Sequence, residues 1–153
     1  MGLLTRARAA VVAAAVMGGV LSSCGNSPQE ELEWSLSESV TVGDYELVER
    51  VREKVVLALY VGRPVDDLLP DVVVPGAQVE PLSGRRLPGD PMDYVAVARF
   101  TEPGGQFCSI TFSKLGEGKT PLPNWKLGDD LLREIAGGAL DLIATRTVCE
   151  GSG

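Results

Sequence analysis

Few side chains in this 153-residue chain could carry chemistry. The chain has no histidine, which removes catalysis by Ser-His-Asp or Cys-His groups and excludes metal sites built on imidazole. Three cysteines remain, Cys24, Cys108 and Cys149, and no two of them have the C-x-x-C spacing of a redox motif. The position of each cysteine therefore carries most of the chemical information in this sequence.

Cys24 ends the run Leu21-Ser22-Ser23-Cys24, which follows directly on an apolar segment. Arg6 and Arg8 give that segment a positive start, and the small residues before Cys24 suit a cleavage site. The apolar stretch Ala9–Val20 is about 12 residues long, short of the roughly 20 that span a bilayer as a helix. An aliphatic residue, two small residues and a cysteine resemble the lipobox of bacterial lipoproteins.

The resemblance implies a signal peptide over residues 1–23 and a diacylglyceryl group on the sulfur of Cys24, with palmitate among the acyl chains. Cleavage would make Cys24 the new N-terminus, and two acyl chains anchor a protein stably where one is marginal. The resemblance thus predicts a protein held on the extracytoplasmic face of the cell membrane. A plain secretory signal, with Cys24 an ordinary thiol, and a short membrane anchor are the alternatives.

The charge balance limits the partners. The chain carries 14 basic and 21 acidic residues, a formal net charge of −7. Without the two arginines of the signal, 12 basic residues face 21 acidic ones. This balance argues against nucleic-acid binding, which needs a basic surface. It also argues against electrostatic binding of a polybasic segment to anionic lipid, so the protein is predicted to contact the membrane through the acyl group.

If Cys24 is lipidated, two cysteines remain in an exported domain. Two such cysteines most simply form one disulfide, here Cys108–Cys149 with a sequence separation of 41. Two free buried thiols or a redox-active pair are the alternatives. A disulfide would leave no thiol nucleophile in the domain.

The chain divides into three parts at the sequence level. Residues 1–23 are the signal peptide, 24–40 a flexible acidic tether, and 41–153 a single domain. The tether is predicted because its acidic, Ser-rich composition buries too little apolar surface to offset the entropy of ordering.

Within the domain, apolar spacing predicts a helix from Asp44 to about Tyr60 and a second helix from about Asp129 to Thr147. Alternation predicts two paired strands, Met92–Phe100 and Gln106–Ser113, with Cys108 on the buried side. Gly137-Gly138 either lets the second helix lie close on the sheet or splits it. The order predicts an α+β fold: a small antiparallel sheet with an N-terminal and a C-terminal helix packed on one face, and one disulfide.

Two loops carry the candidate binding residues. Arg85 and Arg86 form a basic pair in the loop at 83–91, where they either contact an anionic partner or are simply solvated. Trp125 lies in the loop at 116–128, where it either anchors an interface or covers the edge of the core. If the two loops lie at the same end of the domain, they form the most plausible binding surface.

Other candidate chemistry is weaker. Gly118-Lys119-Thr120 lacks the first glycine of a phosphate-binding loop, and Pro121 replaces the expected helix. The aspartates at 66, 67 and 71, and at 90 and 93, do not match a calcium loop. No cofactor and no metal are predicted.

The sequence therefore predicts a lipid-anchored extracytoplasmic binding or accessory module without catalysis, with a possible protein partner. The first alternative is a small-ligand carrier or sensor, with a pocket lined by Tyr94, Phe112 and the Gly137-Gly138 gap. The second is a cell-wall hydrolase that uses carboxylates alone.

Overall fold

The protein is built around an antiparallel β-sheet. The computed structural model describes residues 25, 27–82, 88–101 and 105–150. In chain order the elements are α1 (Pro28–Ser39), β1 (Thr41–Val42), β2 (Glu46–Arg52), β3 (Val56–Gly62), a 3₁₀ turn (Leu69–Asp71), β4 (Val72–Val73), β5 (Gln78–Pro81), β6 (Met92–Thr101), β7 (Phe107–Leu115), α2 (Asp129–Ala136) and β8 (Asp141–Glu150). The main sheet has the order β2-β3-β8-β7-β6-β5, and β1 pairs with β4 in a separate ribbon. Two helices and one disulfide complete a fold in which sheet predominates.

The main sheet buries apolar residues on both faces. One, the α1 face, carries Ala58, Tyr60, Ile110, Phe112 and Ile143, and is covered by α1 and the β1-β4 ribbon. The other, the Trp125 face, carries Leu59, Val61, Met92, Leu142 and Ala144. Because successive strand residues point to opposite faces, β3 and β8 contribute to both clusters.

The two helices lie on opposite faces of the sheet. Leu36 of α1 packs against the α1-face cluster, whereas Ile135 of α2 belongs to the Trp125-face cluster. The expectation that both helices pack on one face is therefore wrong. Each face of the central strands is apolar and needs its own cover, which one layer of helices does not provide.

The helix expected from Asp44 to Tyr60 is also wrong, because this stretch forms β2 and β3 around a turn at residues 53–55. Val48, Val51, Val55 and Leu59 do fit a helical spacing. The unbroken apolar run over residues 56–61 is instead a strand buried on both faces, a pattern that periodicity alone does not distinguish from a buried helix.

The second predicted helix ends eleven residues early, at Ala136 instead of Thr147. Gly138 has a φ of +75°, a conformation that glycine adopts without strain, and its N–H donates to the Ile135 carbonyl over 3.0 Å. The chain then continues as β8, so Gly137-Gly138 terminates the helix. Cys149 therefore lies on a strand, so the disulfide does not connect the second helix to the sheet.

The flexible tether expected over residues 24–40 does not extend over Pro28–Ser39, which form α1. Ser27 and Glu30 make a capping box: the Ser27 Oγ accepts from the Glu30 N–H, and the Glu30 carboxylate accepts from the Ser27 N–H over 2.6 Å. Pro28 at the first helical position suits this start. The helix is docked by buried polar side chains, Glu33 and Ser37, which composition does not reveal as anchors.

The predicted hairpin and disulfide are confirmed. Strands β6 and β7 pair antiparallel, and Cys108, Ile110 and Phe112 share a buried face. Cys108 and Cys149 lie opposite each other on β7 and β8, with their Cα atoms 4.1 Å apart. The disulfide therefore joins two neighbouring strands of the central sheet.

Candidate functional site

Trp125 is held against the sheet by the segment at 116–128 and by the helix that follows it. The Trp125 N–H donates to the Leu122 carbonyl over 3.0 Å, and the Trp125 carbonyl accepts from the Leu127 N–H over 2.9 Å. The Lys126 N–H reaches across to the Glu49 carboxylate on β2. These contacts leave Trp125 8% exposed. Its side chain packs in one cluster with Leu127, which precedes α2, and with Ile135 of α2.

Beside Trp125 lies a cleft of about 340 Å³, here called the Trp125 cleft. Its sheet wall comes from four adjacent strands and is formed by Leu57, Met92, Tyr94, Ser113, Ala144 and Arg146. Its loop wall is formed by Leu122, Asn124 and Trp125, and its rim by residues 53–55 and Asp90. A volume of this size with a mostly apolar lining and a few polar groups is typical of a small-ligand pocket.

Four charged side chains line the Trp125 cleft, and they differ in how they are held. Asp90 accepts from the Met92 N–H over 2.9 Å and from the Tyr94 hydroxyl over 3.4 Å, so its carboxylate is fixed at the start of β6. Arg146 lies on β8 between Leu57 and Thr111 in the register. Within the described part of the chain, no hydrogen bond or ion pair engages the Arg146 side chain. The cleft thus offers an unengaged guanidinium beside an apolar wall.

The sequence-predicted binding residues fall in different places. Trp125 covers the edge of the core and also lines the cleft. Arg85 and Arg86 lie outside the described residues, as does Cys24. The described end of the Arg85-Arg86 loop reaches the cleft, because Asp90 and Trp125 line the same cavity. The two loops singled out from the sequence therefore meet at this cleft as far as the described residues extend.

The residues expected to line a small-ligand pocket, Tyr94, Phe112 and Gly137-Gly138, do not lie together in the structure. Of these residues, Tyr94 lines the Trp125 cleft. Phe112 is fully buried on the opposite face, and Gly137-Gly138 line a separate groove at the end of α2. Tyr94 and Phe112 lie on opposite faces because the pairing register of β6 with β7 shifts between Tyr94 and Ala96.

A second polar cluster lies where β3, β7 and β8 meet. The Tyr45 hydroxyl donates to the Asp141 carboxylate over 3.4 Å, and Lys114 pairs with the same oxygen over 2.6 Å. Gly62 lies directly under the Tyr45 ring: a Cβ there would come within 2.6 Å of Tyr45 Cγ. Burial, and then the neighbouring Asp141 carboxylate, raise the pKa of Tyr45 to about 12.

We expect Tyr45 to stay protonated well above the usual tyrosine range. A pKa raised in the folded state means that Tyr45 contributes stability fully below pH 10, and that this contribution is lost as the pH rises from 10 towards 12. The 295 nm absorbance titration of the wild-type protein, minus that of Tyr45→Phe, should show a single step near pH 12. A step near pH 10 would show that Asp141 and burial do not act on this hydroxyl.

Neither metal clusters nor membrane-spanning helices occur among the described residues. No three acidic or cysteine side chains there converge as metal ligands would. The described helices are also too short and too polar to cross a bilayer. The aspartates near positions 66–71 and 90–93 therefore belong to turns and strand starts in this part of the chain.

No family model matches this chain, and neither a curated protein nor a solved structure is significantly similar to it. The Trp125 cleft must therefore be interpreted from its own residues.

Sequence reasoning missed Leu57 and Arg146 as cleft residues. Both depend on assigning β3 and β8 as strands, and both stretches were interpreted as helix. The available signal was Arg146 itself, a single cation inside the β-prone run over residues 142–149. Such a charge on an otherwise apolar strand marks the side of the sheet that solvent reaches.

Proposed function

We propose that this chain is the precursor of a lipid-anchored binding module that works on the extracytoplasmic face of the cell membrane without catalysing a reaction. Residues 1–23 are its signal peptide, and Cys24 carries the acyl group. The lipobox resemblance supports the anchor. The disulfide between Cys108 and Cys149 agrees with an exported domain, where such crosslinks persist.

The observation that carries the binding role is the Trp125 cleft. It lies where the loop that follows Arg85 and Arg86 meets the loop that carries Trp125. A rigid sheet wall opposite two loops is a common arrangement for recognition, because the sheet positions the loops and the loops supply specificity. We place the recognition surface there, with Arg85, Arg86 and Trp125 as its sequence-derived residues.

A second candidate is a small-ligand carrier or sensor, and the dimensions of the cleft favour it. A cavity of about 340 Å³ suits a small molecule and is narrow for a segment of a protein partner. The unengaged Arg146 guanidinium beside Leu57 and Trp125 suits a ligand with an anionic group on an apolar body. Both candidates share the anchor and the cleft and differ in the occupant.

The proposal is tested on protein isolated from membranes of the producing cell. Mass spectrometry of the N-terminal peptide should show Cys24 with a diacylglyceryl mass, and Cys24→Ser should move the protein from the membrane to the soluble fraction. An unmodified Cys24 thiol in membrane-isolated protein would reject the anchor.

The occupant of the cleft is identified with a matched pair of variants. Leu57→Trp narrows the cleft, whereas Leu47→Trp adds the same ring to an exposed position on the edge strand β2. For a small ligand, native mass spectrometry should show a bound mass that Leu57→Trp loses and Leu47→Trp retains. For a protein partner, short-range crosslinking on intact cells should capture one dominant protein with the same pattern of loss. Binding that survives Leu57→Trp in both assays would place recognition elsewhere.

A further inference from the structure

The first turn of α1 is tied to one end of the main sheet. Strand β8 runs past the end of β3: the last paired residue is Thr147, opposite Val56. The backbone of Cys149 would therefore present an unpaired edge on that side. Gln29 donates to the Cys149 carbonyl, and the Glu33 carboxylate accepts from the Cys149 N–H over 2.9 Å.

The contacts of α1 with β2 reinforce this docking. Arg52 donates to the Glu30 carbonyl and lies 3.8 Å from the Glu33 carboxylate. Arg50 and Arg52 each approach the Trp34 ring, with the guanidinium carbon 5.8 Å from its centre. Glu33 is 6% exposed, so its charge is compensated within the protein by Arg52 and by the Cys149 N–H. The start of α1 is thus held in place by charge-assisted contacts.

This docking determines where the anchor leaves the domain. Only residues 25–27 separate Cys24 from the start of α1 at Pro28. Four Cα–Cα steps span at most about 14 Å. The ten residues of β8 extend for about 31 Å along the sheet. Residues 25–27, here called the leash, are therefore a short linker. They keep the end of the sheet near Cys149 close to the acyl chains and keep the opposite end away from them.

The same end of the sheet, here called the proximal end, includes the turn at residues 53–55, the start of β7 and the end of β8. Its exposed side chains include Glu53, Lys54, Phe107 and Glu150. Among these four described side chains, two acidic groups and one basic group give no net attraction to anionic lipid. The leash, rather than these charges, is therefore the feature that favours one orientation at the membrane.

We propose that the proximal end faces the bilayer surface, and that α1 serves as a rigid spacer that fixes this orientation. The inference rests on the proposed anchoring at Cys24. The outward side is then the end with the start of β2, the segment at 116–120 and the start of β8. The partner surface of the proximal end is the headgroup layer of a lipid bilayer.

The test attaches residues 24–153, which contain the whole described fold, to nanodiscs through the Cys24 thiol. Phosphatidylcholine nanodiscs carry a maleimide lipid and a trace of gadolinium-chelating lipid. Cys24 is the one cysteine outside the disulfide, so the coupling site is unique. In nitrogen–proton spectra, we expect loss of the amide signals of Lys54, Phe107 and Glu150, and retention of those of Glu117 and Lys119.

Two variants separate the spacer from the rest of the fold. Inserting about twelve Gly/Ser residues between Asn26 and Ser27 lengthens the leash without touching α1, and should even out the signal loss between the two ends. Gln29→Ala combined with Glu33→Ala should do the same by releasing α1. Gln29→Ala with Glu31→Ala, at an exposed position of the same helix, should keep most of the gradient.

Uniform broadening in the parent protein, or stronger broadening at Glu117 than at Phe107, would overturn the proposal. The chemical coupling makes the result independent of lipidation in the cell. A gradient in nanodiscs together with an unmodified Cys24 in membrane-isolated protein would reject the anchor and retain the geometry.

Discussion

Replacing Cys108 and Cys149 together by alanine is expected to lower the free energy of unfolding by about 4 kcal/mol. The crosslink closes a loop with a sequence separation of 41, and its loss returns that conformational freedom to the unfolded chain. Both cysteines are essentially inaccessible, at 0% and 2% exposure, so a further loss comes from packing. The measurement is urea unfolding of residues 24–153 in a Cys24→Ser background.

The matched control for the disulfide is reduction of the same Cys24→Ser protein. Reduction removes the crosslink and keeps both sulfur atoms, so the difference between the reduced protein and the double alanine variant isolates the packing loss. Cys24→Ser alone should leave the unfolding midpoint unchanged, because residue 24 precedes the described fold. A total loss below about 1 kcal/mol would show that the crosslink adds little to this sheet.

Phe112→Ala is expected to cost about 3–5 kcal/mol of unfolding free energy. Phe112 is 0% exposed and lies on the α1 face, where Ala96 of β6 and Thr145 of β8 are its partners across the strands. Neighbouring side chains from three strands cannot collapse into the space that a phenyl ring leaves. The measurement is urea unfolding. If the slope of the unfolding free energy against urea concentration is unchanged, the shift of the midpoint reports a loss of stability alone.

Strand β7 supplies its own control for Phe112. Phe107 lies on the same strand but is 40% exposed, so Phe107→Ala should change the unfolding free energy by no more than about 0.5 kcal/mol. If Phe112→Ala does not fold, Phe112→Leu takes its place, because it keeps most of the apolar volume. Its loss of unfolding free energy should exceed that of Phe107→Ala. Equal effects at positions 107 and 112 would contradict the assignment of the buried face.

The hairpin of β6 and β7 could be predicted from the sequence because its signals agree. Alternating apolar residues on both strands flank a Pro-Gly-Gly stretch, and Cys108 takes its side from Ile110 and Phe112. The predicted extracytoplasmic location and the number of cysteines then led to the prediction of the disulfide. The hairpin inference used residues near one another in the chain, where pattern is most informative, whereas the disulfide inference used the number of cysteines.

Strands β2 and β3 could not be assigned because two periods compete in the same residues. Val48, Val51 and Val55 repeat at a helical spacing, while the run over 56–61 is apolar at every position. A central strand covered on both faces has no alternation to reveal it. What decides between helix and strand here is the pairing of β3 with β8, about eighty residues later in the chain.

Helix α1 escaped prediction for a different reason. Its sequence is acidic and rich in serine, and composition of that kind usually indicates disorder. The helix is held by specific polar contacts, from Glu33 to the Cys149 N–H and from Arg50 to Ser37, instead of by an apolar stripe. Such contacts depend on where distant strands end, which sequence patterns do not contain.

The candidate site was predicted in part. The Pro-rich loop singles out Trp125 as a candidate in the sequence, and the structure brings the start of β6 beside it. Leu57 and Arg146 were missed, because both reach the cleft only when residues 56–62 and 141–150 are strands.

The position of β8 has a consequence for the order of folding. This strand is the last of the described strands, yet it lies between β3 and β7 in the middle of the sheet. The β2-β3 hairpin and the β5-β6-β7 meander are local and can form early, but neither can reach the other until β8 arrives. Until β8 joins, β3 and β7 each present an unpaired strand edge. Residues 141–150 are thus required to close the sheet, and their pairing with β7 brings Cys149 opposite Cys108.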